Sequence, residues 1–243
     1  MTVLVTGGSG YIGGWCIASL LDRGYEVRTT IRDLAREAEV RKALANVTRG
    51  GDRLSFRAAS LTDDAGWSEA VEGCQAVLHV ASPVPQAQPK RADDLIRPAR
   101  DGALRLLRAA MAGGVQRVVM TSSVAAVASG ASVAEGTYDE TSWTNLKGRG
   151  VTPYAQSKTI AERAAWDLMA QCDTAMTLAT VNPALVLGPV MSADFSASVE
   201  VVRRMVAGQM PGLPRLGFNV VDVKTIVQSV LCLGSPDAVS QII

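Results

Sequence analysis

Histidine is nearly absent from this chain and cysteine is sparse, and both facts exclude kinds of site. His79 is the only histidine among 243 residues, so a metal site built on several histidines is excluded. A hydrolase that needs a histidine base is disfavoured unless His79 is that base, and its apolar surroundings predict a core residue instead. The cysteines form no CxxC pair, which predicts reduced thiols and no metal site. They are Cys16, Cys74, Cys172 and Cys232.

The chain also lacks an excess of charge of either sign. It has 24 basic and 23 acidic residues, and a net charge of +1 gives no reason to expect nucleic acid or an anionic membrane as a partner. No uncharged apolar run approaches the roughly 20 residues of a membrane helix, and a core strand begins at Thr2 with no room for a signal peptide. The sequence therefore predicts a cytoplasmic globular protein.

Short β-rich runs alternate with longer helical runs along most of the chain. The predicted strands are Thr2–Thr6, Glu26–Ile31, Arg53–Ala58, Gln75–Val80, Val115–Thr121 and Thr174–Val181. The predicted helices are Ile12–Leu21, Leu34–Ala45, Asp93–Met111 and Thr152–Met169, with two more near Ser196–Ala207 and Val223–Cys232. This alternation predicts an α/β fold with a doubly wound parallel sheet of the Rossmann type.

Proline and glycine become frequent after Asn182-Pro183, and the regular alternation ends there. We therefore predict a dinucleotide-binding domain over residues 1–182. Residues 183–243 are too few for a second full domain, so we predict a small, partial substrate-binding lobe.

The first strand-to-helix turn is rich in glycine. Its glycines can be read as a dinucleotide motif on Gly7, Gly10 and Gly13, or on Gly8, Gly10 and Gly13. In both readings the glycines permit a tight turn and let backbone N–H groups reach a pyrophosphate, while the helix N-terminus supplies partial positive charge. The turn therefore predicts a dinucleotide cofactor.

The end of the second strand bears on the choice between NADP and NAD. Arg32 is placed to pair with a 2′-phosphate, and Arg28 and Arg36 add positive charge nearby. Asp33 argues the other way, because an acidic side chain at this point binds the ribose hydroxyls of NAD. We predict NADP and keep NAD as the alternative.

Tyr154 and Lys158 lie four residues apart at the start of a predicted helix, so both side chains share one face. A phenol exchanges its proton readily at neutral pH only where a nearby cation stabilises the phenolate. The pair therefore predicts a general acid, Tyr154, that protonates a carbonyl oxygen during hydride transfer.

Strand five ends in Met120-Thr121-Ser122-Ser123. Ligands of open parallel sheets lie at the carboxyl ends of the strands, where a hydroxyl can donate to a substrate oxygen. We choose Ser123 for this role and keep Ser122 as the alternative.

Together these motifs resemble the extended short-chain dehydrogenase/reductase family, and within it the dihydroflavonol 4-reductase-like aldehyde and ketone reductases. The matching segments are TGGSGYIGGW, VRTTIRD, GWSEAVEGCQAVLHVASP, LIRPARDGALRLLRAA, VVMTSSVAAV, YAQSK and NPALVLGP. The resemblance implies a reductase of a small-molecule carbonyl, with helix pairing into a homodimer. Two alternatives stay open: a nucleotide-sugar epimerase or dehydratase with bound NAD, and a non-catalytic dinucleotide-binding regulator.

The resemblance also implies the residues of the site. The catalytic residues would be Ser123, Tyr154 and Lys158. The cofactor residues would be Gly7, Gly10, Tyr11, Ile12, Gly13, Arg32, Ser60, Leu61, Val80, Ala81, Ser82, Thr121, Tyr154, Lys158, Pro183 and Leu185.

Three positions depart from the family pattern. Ser60 stands where the family carries an aspartate at the adenine, and Glu39 stands where some NADP-using relatives are basic. Ala128 stands where plant flavonoid reductases carry a substrate-binding asparagine, so a flavonoid substrate does not follow from the resemblance.

Overall fold

A parallel β-sheet organises the chain. The computed structural model describes residues 1–83, 89, 91–130, 137–192, 195–210, 212, 217, 219–233 and 241–242. Within these residues the main sheet has seven strands in the order β3-β2-β1-β4-β5-β6-β9, and every neighbouring pair is parallel. The predicted doubly wound α/β fold is confirmed.

The strands of this sheet are β1 (Thr2–Thr6), β2 (Glu26–Ile31), β3 (Leu54–Ala58), β4 (Ala76–His79), β5 (Arg117–Thr121), β6 (Thr177–Asn182) and β9 (Gln241–Ile242). A second, two-stranded parallel sheet pairs β7 (Leu185–Leu187) with β8 (Val220–Asp222). The helices are α1 (Tyr11–Asp22), α2 (Glu37–Ala45), α3 (Trp67–Val71), α4 (Asp93–Ala112), α5 (Val124–Val127), α6 (Pro153–Gln171), α7 (Ala197–Val206) and α8 (Val223–Leu233). Short 3-10 turns occupy Leu34–Arg36 and Gly51–Arg53.

Both faces of the sheet are covered, because its strands are apolar on both sides. Val3 and Val5 of β1 belong to one buried cluster, with α1, α2 and α8, whereas Leu4 belongs to the other, with α3, α4 and α6. Successive side chains of a strand point to opposite faces, so a run without polar alternation suits only a strand covered on both.

The C-terminal residues share this core. Val223 and Ile226 of α8 are fully buried in the same cluster as α1 and β1. The division into residues 1–182 and 183–243 stays a prediction. No helix among the described residues has the length and apolar character needed to cross a lipid bilayer.

The strand order reverses beside β1. The chain runs outward from β1 to β2 and β3, then returns to place β4 on the other side of β1. The loops that leave β1 and β4 therefore turn to opposite faces, and a crevice opens at the carboxyl ends of these strands. The glycine turn after β1 lies at this point, as do the ends of β4 and β5.

Candidate active site

The glycine turn holds α1 close to the sheet. Gly7 has a φ of +73°, in the left-handed region, and a Cβ there would lie 3.0 Å from the Cα of Ala81. A Cβ on Gly13 would lie 2.4 Å from the carbonyl oxygen of Gly7, too close for any side chain. Gly10 precedes α1 and provides no side-chain cap, so the first N–H groups of the helix are available to an anion.

Tyr11 and Ile12 form the first turn of this helix, and their side chains pack against the core. The Tyr11 phenol extends toward Gly188, and its oxygen is buried without a hydrogen-bond partner among the described residues. Burial and the nearby Asp222 carboxylate raise the pKa of Tyr11 above its usual range. The phenol therefore stays neutral and keeps the proton that it can donate in a hydrogen bond.

Arg32 lies exposed at the end of β2, and it forms no ion pair or hydrogen bond with the part of the chain that the structure describes. Asp33, the predicted competitor, accepts a hydrogen bond from the Ala35 amide at 2.9 Å and caps the following turn. One oxygen of its carboxylate is thus used locally. This geometry leaves Arg32 available to a phosphate.

Arg36 and Glu39 form a bidentate ion pair, with N···O distances of 3.0 and 2.9 Å. The Arg36 hydrogen bonds hold the pKa of Glu39 below its usual range. Both residues line a cleft that also includes Gly8, Ser9 and Gly10. Glu39, the acidic residue that departs from the family pattern, therefore lies beside the glycine turn, and Arg36 balances its charge.

The sequence-based placement of Arg28 near the cofactor is wrong. Its guanidinium donates to the carbonyl oxygens of Glu69, Ala70 and Glu72 at 3.2, 3.1 and 2.6 Å. These are orphan carbonyls at the end of α3, and a cation is favourable at a helix C-terminus. Arg28 lies in the middle of β2 rather than at its end, which explains why its side chain reaches a helix on one face and not the crevice.

Ser60 and Leu61 follow β3 at the far side of the crevice. The Ser60 hydroxyl lies 3.0 Å from that of Thr62, and the Leu61 side chain packs against Gly102 of α4. The Leu61 carbonyl accepts a hydrogen bond from Arg105 at 2.8 Å. Their role at an adenine stays a prediction.

The end of β4 is anchored by Thr6. Its hydroxyl oxygen accepts hydrogen bonds from the amides of Val80 and Ala81 at 3.1 and 3.0 Å, and lies 2.9 Å from Nδ1 of His79. His79 is 3% exposed, as expected of a core histidine. Val80, Ala81 and Ser82 are half-buried beside the glycine turn. The proline-rich run that follows, Ser82–Pro89, lies mostly outside the described residues.

Tyr154 and Lys158 occupy the first turns of α6. Thr152 caps this helix by accepting from the Ala155 amide at 3.2 Å, and Pro153 occupies its first position, where no N–H is needed. The ammonium of Lys158 is 5.9 Å from the centre of the Tyr154 ring and donates to the carbonyl of Thr121 at 3.2 Å. Lys158 is 5% exposed, so its charge acts in a poorly solvated environment.

Thr121, Ser122 and Ser123 end β5 at the same place and are all buried. Ser123 caps α5: its hydroxyl accepts from the Ala125 amide at 3.2 Å and donates to the Pro183 carbonyl at 3.4 Å. The hydroxyl oxygens of Thr121 and Ser122 are buried without a partner among the described residues. The structure thus brings the end of β5 into contact with Lys158, whose ammonium faces the Tyr154 ring, and with Pro183.

Sequence reasoning missed two residues here, Glu162 and Asn182. Both are buried, and Asn182 donates to Glu162 at 2.8 Å and to the carbonyl of Ser123 at 3.2 Å. A signal was present, because Glu162 continues the four-residue spacing of Tyr154 and Lys158. Pro183 is buried next to Asn182, while Leu185 is half-buried in β7.

These features fit a dinucleotide. The backbone cradle at Gly7 and Gly13 would be filled by any Cβ, and the N-terminus of α1 carries no side-chain cap. Two buried hydroxyls without partners, those of Thr121 and Ser122, suit a polar ligand at the end of β5. Among the described residues, no cluster of histidine, cysteine, aspartate and glutamate suited to a metal ion is present.

Comparison with known proteins agrees with this geometry. Dihydroflavonol 4-reductase of Zea mays is 36% identical over 220 residues, which cover 86% of this chain and 59% of the maize protein. Cinnamoyl-CoA reductase 1 of Arabidopsis thaliana is 34% identical over 98% of this chain and 68% of its own length. The chain thus spans about three fifths of the length of the maize relative.

Among solved structures, yeast methylglyoxal/isovaleraldehyde reductase Gre2, complexed with NADPH, superposes with a TM-score of 0.88 at 25% identity. The match covers 100% of this chain and 78% of the yeast chain. The family model described as "NAD dependent epimerase/dehydratase family" matches residues 3–223. The chain therefore belongs to the NAD dependent epimerase/dehydratase family and is an extended short-chain dehydrogenase/reductase.

Proposed function

We propose that this chain is an NADP(H)-dependent oxidoreductase that reduces an aldehyde or ketone to an alcohol, with Tyr154 as the general acid. The observation that carries the proposal is the convergence of Lys158, Tyr154 and the end of β5 at the crevice of the sheet. A buried ammonium beside a phenol, next to hydroxyls at a strand end, is suited to protonating a developing alkoxide.

The glycine turn, the first turn of α1 and Arg32 would hold the cofactor. Backbone N–H groups of α1 would donate to the pyrophosphate, and the exposed guanidinium of Arg32 would suit a 2′-phosphate. Bound NADPH would supply the hydride. The yeast reductase that resembles this chain was solved in complex with NADPH, which supports the choice of NADP.

The side chains then share three tasks. Ser123 turns its hydroxyl proton from the Pro183 carbonyl, 3.4 Å away, to the carbonyl oxygen of the substrate. Tyr154 delivers a proton to that oxygen as the carbonyl carbon is reduced, and Lys158 stabilises the phenolate left behind. Lys158 is held for this task by the Thr121 carbonyl, which fixes its ammonium at the end of β5. The balanced change is one carbonyl, one hydride and one proton to one alcohol.

A binding and turnover experiment tests the proposal. NADPH and NADH are titrated into the wild-type chain and into Arg32→Ala, and NADPH oxidation is then followed with a panel of aldehydes and ketones. We expect NADPH to bind more tightly than NADH, with this preference reduced about tenfold in Arg32→Ala. Tight NADPH binding without oxidation by any carbonyl would favour a non-catalytic regulator, and copurified NAD would favour an epimerase.

A further inference from the structure

Two buried polar side chains, Glu162 and Asn182, link α6 to the turn that carries Ser123. Glu162 is 4% exposed and Asn182 is 2% exposed. The Asn182 amide nitrogen donates to Glu162 Oε2 at 2.8 Å and to the carbonyl oxygen of Ser123 at 3.2 Å. Both hydrogens of that nitrogen are used, so its orientation is set from two sides.

Glu162 lies on the face of α6 that carries the proposed catalytic pair. It follows Lys158 by four residues and Tyr154 by eight, and residues at this spacing line up along one side of a helix. Its carboxylate is therefore fixed to the same rigid element as the phenol and the ammonium. A contact made by Glu162 therefore helps to fix the position of α6.

The turn at Ser123 is tied to the residues around Asn182 by further bonds. The Ser122 amide donates to the Val181 carbonyl at 2.7 Å, and the Val124 amide donates to the Pro183 carbonyl at 3.0 Å. These bonds join the end of β5 to the end of β6. The bond from Asn182 to Glu162 extends this connection to α6.

A carboxylate is a costly choice for a contact that serves packing alone. Burying an ionisable group is unfavourable unless it is paired and hydrogen-bonded. On either side of it, α6 packs through Ala161 and Ala165, which are buried apolar residues. Unlike those alanines, Glu162 accepts a directional hydrogen bond from Asn182, whose amide nitrogen also donates to the Ser123 carbonyl.

We propose that Glu162 and Asn182 are positioning residues that hold the Ser123 hydroxyl in a fixed position relative to Tyr154 and Lys158. The inference rests on the proposed function for its kinetic consequence. Asn182 fixes the carbonyl of Ser123, and Glu162 fixes Asn182 to the helix of the phenol and the ammonium. Neither residue would contact the substrate.

The test compares variants that keep or remove the bridge. Glu162→Gln retains an oxygen that accepts from Asn182, whereas Glu162→Met has similar length and no such acceptor. Asn182→Ala removes the donor from the other side, and the Glu162 pair carries the test if that variant does not fold. Thr159→Val is the matched control, because Thr159 is fully buried on α6 and its hydroxyl, within the described part of the chain, bonds just the Ala155 carbonyl of its own helix.

Turnover and NADPH affinity are measured for each variant. We expect Glu162→Met and Asn182→Ala to lower kcat at least about tenfold, because a shift of a reacting group by an ångström has effects of this size. NADPH affinity should stay within about threefold of wild type, because the glycine turn is untouched. Glu162→Gln and Thr159→Val should keep most of the wild-type kcat.

A second measurement needs no turnover. Ser123→Cys is introduced into the wild-type chain and into each variant, and alkylation of the new thiol by iodoacetamide is followed by peptide mass spectrometry. Site-specific detection is needed because Cys232 is a free, exposed cysteine that iodoacetamide can reach. Glu162→Met and Asn182→Ala should change the alkylation rate at residue 123 several-fold, whereas Glu162→Gln and Thr159→Val should not.

The outcomes separate the two proposals. If the chain with Ser123 reduces no carbonyl, the proposed function is contradicted. A changed alkylation rate at residue 123 in Glu162→Met and Asn182→Ala would still support the positioning role. Unchanged alkylation in Glu162→Met and Asn182→Ala would overturn the positioning role, whatever the turnover. Equal loss of kcat in Glu162→Gln, Glu162→Met and Thr159→Val would also overturn the positioning role, since a general loss of packing would then explain the lower kcat.

Discussion

The hydroxyl oxygen of Thr6 lies 2.9 Å from Nδ1 of His79. Because this oxygen already accepts two amide hydrogens, from Val80 and Ala81, its own proton is directed to Nδ1. His79 therefore accepts at Nδ1 and carries its proton on Nε2. Burial, and secondly the charge of Lys158, lower the pKa of His79 to about 3, so the ring stays neutral. A neutral His79 leaves Lys158 as the cation of this region.

This relationship predicts how stability depends on pH. The pKa of His79 falls from 6.5 in the unfolded chain to about 3 in the fold, so the unfolded chain binds more protons between these values. Stability that is present above about pH 6.5 is lost as the pH falls toward 3, by up to about 1.4 kcal/mol per pH unit. His79→Gln should make this dependence shallower, measured by urea unfolding at several pH values. Equal slopes in both proteins would contradict the burial of a neutral ring, since His79 is the sole histidine.

Gly13→Ala should distort the glycine turn. Its Cβ would lie 2.4 Å from the Gly7 carbonyl oxygen, so helix and turn must separate. We expect a loss of about 1–3 kcal/mol in the free energy of unfolding and a large loss of NADPH affinity. Gly51→Ala is the control, because no described residue other than its two chain neighbours has an atom within 4 Å of its Cβ position. NADPH binding by Gly13→Ala as tight as that of wild type would refute the site.

Two arginines of β2 should separate stability from cofactor binding. Arg28→Met leaves three carbonyls at the end of α3 without their donor, so we expect unfolding at lower urea, with about 1.5–3 kcal/mol lost. NADPH affinity should remain near wild type. Arg32→Met should show the reverse pattern, with weaker NADPH binding and little change in stability. Equal behaviour of the two variants would be inconsistent with the structure.

Alanine substitutions of the two serines at the end of β5 should have different effects on kcat and on stability. Ser123→Ala removes the proposed donor to the substrate oxygen and should lower kcat about a hundredfold. Ser122→Ala removes a buried hydroxyl that has no partner among the described residues, so stability should be unchanged or higher. Steady-state kinetics with one aldehyde would compare them. A larger loss in Ser122→Ala would transfer the role to that residue.

Much of the fold could be predicted because its signals are local. Thr2–Thr6 and Glu26–Ile31 are strands with the predicted bounds, since each is a buried β-rich run with clear punctuation. The helix predicted from Ile12 begins one residue earlier, at Tyr11. The strands β7 and β8 were not predicted, because three-residue strands have no periodicity to detect.

Long-range contacts explain what the sequence could not show. Arg28 and Arg32 look alike in the sequence, and only the packing of α3 against β2 shows that Arg28 binds helix carbonyls. Asn182 and Glu162 lie twenty residues apart on different elements, so their bond depends on how α6 packs against β6. The spacing of Tyr154 and Lys158 was informative because both belong to one helix.

The Tyr154 phenol should supply the proton as a carbonyl accepts hydride. The most direct measurement is a single turnover of preformed enzyme–NADPH complex with an aldehyde, comparing wild type and Tyr154→Phe after NADPH affinity has been measured for both. Phenylalanine keeps the ring and removes the acid, so we predict unchanged binding and a hydride-transfer rate at least about a hundredfold lower. Equal rates in the two proteins would contradict the account.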